Sequence, residues 1–77
     1  MAPEWPAQLS ALNLDELRRI AAENRAWNKR LRDGIAALVT ERLAKQITSE
    51  EYLAGRQRTA EDAAECNRRR ELLQQFD

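Results

Sequence analysis

A helix-start signal that occurs twice, 35 residues apart, constrains this chain more than any other feature. At Leu12-Asn13-Leu14-Asp15-Glu16-Leu17, Asn13 is placed to cap a helix whose third residue is Glu16. Leu12, just outside the helix, is set to pack on Leu17, just inside. Ile47-Thr48-Ser49-Glu50-Glu51-Tyr52 repeats the arrangement, with Thr48 as cap, Glu51 as the returning carboxylate and Ile47 against Tyr52. Each is a capping box with a hydrophobic staple, in which cap and carboxylate satisfy two otherwise unpaired N–H groups reciprocally. The pair divides the chain into an arm, residues 1–12, and a helical hairpin, residues 13–77.

The first helix is expected over residues 14–46. Leu17, Ile20, Asn24, Trp27, Leu31, Ile35 and Leu38 recur at intervals of three and four, a narrow seam rather than a wide face. Gly34 weakens it by about 1 kcal/mol relative to alanine, yet the seam runs through in phase. The second helix is expected over residues 49–75, along Tyr52, Gly55, Thr59, Ala63, Cys66, Arg70 and Leu73, a seam that Phe76 can continue. Thr59-Ala60-Glu61-Asp62 is itself a start signal, so a break at 55–58 is the alternative. In the arm, Pro6 can open a single helical turn, and Trp5 is expected to cover one end of the core.

A connection as short as Ile47-Thr48 forces antiparallel neighbours. Folding there sets Leu31 near Ala63, Trp27 near Cys66 to Arg70, and Ile20 near Leu73, bulky residues against small ones. Trp27 then anchors the core with Arg70 over its ring, and Asn24 with Arg70 forms a polar layer. The fold class is all-α, an antiparallel two-helix hairpin with a short N-terminal arm.

Two helices cannot enclose a core. With the alanines set aside only 20 apolar residues remain, and a chain this small needs a staple, a metal or a partner subunit. A single cysteine excludes an internal disulfide, and the absence of histidine makes a metal site improbable. A homodimer with four helices is therefore expected, through the otherwise unpartnered Ala36, Val39, Leu43, Ile47 and Leu53.

Catalysis has little to stand on. There is no histidine, and two glycines make no phosphate loop. The pairs Asp15/Glu16, Glu50/Glu51 and Glu61/Asp62 sit in expected first turns, where they favour the helix dipole. Cys66 reads as a small buried hydrophobe. No enzyme activity, metal or cofactor is expected. There is no apolar run of membrane-spanning length and no secretory signal, so the expected location is the cytoplasm.

Charge is balanced at thirteen basic against thirteen acidic residues, but unevenly placed. Arg25, Lys29 and Arg30 lie beside Arg68 and Arg69 in the hairpin, while carboxylates gather elsewhere. With Trp27 these make a partner-binding set, arginine and tryptophan being the types that dominate interface energetics. The expected function is non-enzymatic protein binding. The chain would be an adaptor, inhibitor or regulator covering an acidic or apolar surface of a larger cytoplasmic protein, as many small phage- and plasmid-encoded proteins do. The alternative is a nucleic-acid-binding hairpin dimer that uses the same basic belt on RNA or DNA.

Overall fold

The computed structural model describes residues 2–76. Two long helices, α1 (Leu14–Leu43) and α2 (Ser49–Gln74), follow a single 3-10 turn at Leu9–Ala11. No strand occurs among the described residues. The all-α hairpin is drawn out to 48 × 17 × 16 Å. Its length is that of α1, whose 30 residues extend about 45 Å at roughly 1.5 Å per residue.

Both helices start at the expected caps. The box at Thr48 is complete: its hydroxyl accepts from the Glu51 N–H at 3.1 Å, and its own N–H donates to Glu51 Oε1 at 3.1 Å. At Asn13 only one half forms, the side-chain oxygen accepting from the Glu16 N–H at 2.8 Å. Glu16 and Asp15 still contribute negative charge in the first turn, where the helix dipole favours it.

α1 ends at Leu43, three residues short of the expected boundary at 46. Lys45 adopts a left-handed conformation, φ 60°. Its N–H donates to the Arg42 carbonyl at 3.1 Å, and the Gln46 N–H donates to the Glu41 carbonyl at 2.9 Å. These are the paired bonds of a Schellman motif, which satisfies the last carbonyls by turning the chain out of the helix. Apolar periodicity carries no signal for this stop, because the residue in the left-handed position is lysine rather than glycine.

α2 runs without interruption through 55–58. The Thr59 hydroxyl donates back to the Gly55 carbonyl at 2.9 Å, a bond threonine makes inside a helix, rather than capping a new one. At Gly55 the two helices approach closely. A Cβ built there would stand 2.9 Å from Leu38 Cδ1, whereas one at Gly34 would meet nothing within 4 Å.

Between the helices the core is thin. Ile20, Trp27, Cys66 and Leu73 are its buried apolar residues, with Trp27 only 2% exposed. Asn24 is buried among them. Its Nδ2 donates to the Cys66 carbonyl at 3.2 Å, and the Cys66 thiol lies 3.6 Å from both the Asn24 carbonyl and its Oδ1. No buried side-chain polar atom among the described residues lacks a partner.

The polar layer differs from the sequence expectation by one residue. Arg70 is exposed, and Arg69 is the arginine over Trp27. With Asn24 and Cys66 paired, the next α2 residue on the inner side is three rather than four positions on. Both intervals fit a helical repeat of 3.6 residues.

Candidate functional site

Arg69 joins three parts of the chain. Its guanidinium lies 5.0 Å from the ring centroids of both Trp5 and Trp27. Its Nε donates to Glu65 Oε1 at 3.0 Å and its Nη1 to the Pro3 carbonyl at 2.9 Å. A planar, weakly hydrated cation suits such a slot, since its faces meet aromatic quadrupoles while its edge donates hydrogen bonds. The arm is thereby tied to both helices through Trp5 and Pro3. Glu65 also accepts from Arg68 Nε at 2.8 Å. Hydrogen bonds from Arg68 and then Arg69 lower the Glu65 pKa from an ordinary 4.5 to about 2, and the same carboxylate raises that of Arg68.

An open groove runs between α1 and α2, and no described residue of the arm lines it. Leu14, Leu17, Ala21, Leu73 and Phe76 give it an apolar floor, with Leu14 56% exposed and Phe76 39% exposed. Arg18, Arg25 and Arg32 line the α1 side and Arg70 the α2 side, and Asn24, Asn28, Cys66, Asn67 and Gln74 complete the lining. Arg18, Arg25 and Arg32 stand seven residues apart. Positions so spaced drift only about 20° around a helix, so the three form one stripe roughly 21 Å long at 1.5 Å per residue.

Among the described residues no Asp or Glu lines this groove, although the chain holds as many carboxylates as cations. None of its four arginines forms an ion pair among the described residues; the pairs present are Arg19–Glu23, Lys29–Asp33, Arg68–Glu65 and Arg69–Glu65. The segregation follows from register. The acidic residues of α1 fall at 15, 16, 23, 33 and 41, none in step with the heptad of arginines.

The six sequence-derived partner-binding positions do not converge on one surface. Arg25 lines the groove. Trp27 and Arg69 are buried against each other. Lys29 is exposed and bonded to Asp33 at 3.0 Å, Arg68 is engaged by Glu65, and Arg30 is exposed outside the groove. Arg18 and Arg32 stand outside the sequence-derived set, although their seven-residue spacing is visible in the chain. A belt read from local density of charge ignores which side of a helix each residue occupies.

At the turn end, Leu43 is 79% exposed, Leu53 64% and Val39 37%. Ala36 is exposed and Ile47 half-buried. No helix of the described residues is long and apolar enough to cross a membrane. Comparison with protein-family models, with curated proteins and with solved structures finds no match to this chain.

Proposed function

We propose that this chain is a small non-enzymatic protein-binding module, an adaptor, inhibitor or regulator that uses the interhelical groove to cover a surface of a larger protein. One observation carries the reading: four arginines share the groove with an apolar floor, and no carboxylate is among the described lining residues. Apolar area supplies affinity and the charged rim supplies steering and selection. Among the described residues, the ionisable side chains lining the groove are these arginines and the buried Cys66. Arginine stays protonated in proteins, which leaves little for acid–base chemistry.

In this reading the helices run antiparallel, because the neighbour of Leu38 on α2 is Gly55 and that of the earlier Asn24 is the later Cys66. Two copies pair through Val39, Leu43 and Leu53 at the turn end into a four-helix assembly, leaving the groove near the chain ends free for the partner. A free buried thiol suits a reducing cytoplasm.

The test uses the whole chain as bait beside a variant carrying Arg18→Glu, Arg25→Glu and Arg32→Glu. These side chains are exposed, so the variant is expected to keep its helical circular dichroism. A protein held by the original chain and lost by the variant supports the reading. Recovery of nuclease-sensitive nucleic acid in its place would favour the basic-groove alternative.

A further inference from the structure

We infer that the groove is built for an acidic amphipathic α-helix of a partner protein, which completes a three-helix bundle with α1 and α2; this rests on the protein-binding reading above. A third helix laid along two packed helices buries an apolar stripe between them and sets its flanks against their outer edges. The groove offers both features. Leu14, Leu17 and Ala21 on α1 face Leu73 and Phe76 on the other side, and the stripe of Arg18, Arg25 and Arg32 forms one edge.

Heptad spacing on one helix is answered most simply by heptad spacing on another, as flanking charges do in coiled coils. The occupant therefore carries apolar residues at intervals of three and four, with Glu or Asp seven residues apart along one flank. From residue 14 to residue 32 the α1 wall is about 27 Å long at 1.5 Å per residue, which requires some 18 residues of partner helix.

The floor argues against other occupants. A nucleic-acid backbone would lay solvated phosphates over leucines, and Phe76 is the one aromatic side chain lining the groove on which a base could stack. A second copy laid groove to groove in two-fold symmetry would set the arginine stripe against its own copy or against Arg70, a like-charge arrangement either way. A second copy offering another face would make a contact that need not close.

The experiment measures fluorescence anisotropy of labelled 21-residue helical peptides against the full chain. One peptide has Leu on the apolar stripe and Glu on the flanks, a second has Lys for Glu, and a third has Ser for Leu. The Glu/Leu peptide is expected to bind at least tenfold more tightly than either control. That binding should weaken at least tenfold in the R18E/R25E/R32E chain and fall as salt rises, because exposed charges are screened. Equal binding of the Lys peptide, or no loss in the variant, would overturn the inference. A 20-nucleotide single strand or 20-base-pair duplex that displaces the peptide, with a steep salt dependence lost in the same variant, would overturn the protein-binding reading as well. If no peptide binds while the original chain, and not the variant, still retains a protein from lysate, the helical occupant is wrong and the broader reading survives.

Discussion

Lys45 shows how one residue can be at odds with the turn that contains it. A non-glycine residue in the left-handed region pays roughly 1–2 kcal/mol in Cβ crowding, and Lys45 sits there to close the Schellman bonds at the end of α1. Glycine removes that cost but adds about 0.5–1 kcal/mol of unfolded-chain entropy and loses a cation near the helix C-terminus. Lys45→Gly is therefore expected to stabilise the chain by up to about 1 kcal/mol, read as a higher midpoint in urea at unchanged slope. Glu65 supplies a second prediction, this one in pH. Its folded pKa of about 2 lies below the ordinary 4.5, so the folded state binds its proton less readily than the unfolded chain. The stability it contributes is complete above pH 4.5 and is lost progressively as the pH falls towards 2. Comparing acid unfolding of the original chain with Glu65→Gln should show a stability gap at neutral pH that narrows across that window. A gap of constant size would show that the bonds from Arg68 and Arg69 do not set the titration.

At the scale of the helix, the two glycines separate propensity from packing. Gly34 is exposed in mid-helix, and a methyl group added there would meet nothing within 4 Å, so Gly34→Ala should gain about 1 kcal/mol. Gly55→Ala has the same propensity gain, but its methyl would press on Leu38 at 2.9 Å. Leu38 must then rotate or the helices must part, and overpacking of this kind costs about 1–3 kcal/mol. Denaturant midpoints are expected to rise for the first substitution and to stay level or fall for the second. Equal gains would mean that the close approach at Gly55 has no energetic consequence. The continuity of α2 has the same origin. Thr59 could have opened a new helix, but its hydroxyl bonds to the Gly55 carbonyl, and packing against α1 favours an unbroken rod over a local start signal.

For the molecule as a whole, a thin core beside exposed leucines makes association a matter of stability. Ile20, Trp27, Cys66 and Leu73 are the buried apolar residues, while Leu43 and Leu53 stand open at the turn. If two copies pair there, folding is linked to protein concentration by mass action. The melting temperature of the original chain is expected to rise between micromolar and near-millimolar protein, and that of Leu43→Asp to stay constant. Sedimentation equilibrium showing a folded monomer at micromolar concentration would remove the proposed dimer. The groove is lined by residues between 14 and 32 on α1 and between 66 and 76, away from the turn, so the proposed pairing and the proposed partner binding would use different stretches of the hairpin.

Much of the architecture was legible in the order of residues. Caps at Asn13 and Thr48 and an apolar interval of three and four are local properties, and local hydrogen bonds and helical geometry enforce them wherever the chain is placed. The stop at Leu43 was not legible, because a left-handed lysine leaves no compositional trace. Nor could spacing alone choose Arg69 over Arg70 as the arginine between Trp5 and Trp27, since both satisfy a 3.6-residue repeat. That choice belongs to the fit of α2 on α1 and of the arm on both. The groove arose in the same way: Arg18, Arg25 and Arg32 were always seven apart, but they became one wall of a groove only when folding laid the end of α2, with Arg70 and Leu73, alongside α1. Interactions between neighbours in sequence are written in the sequence, whereas a surface shared by two helices exists only once their register is set.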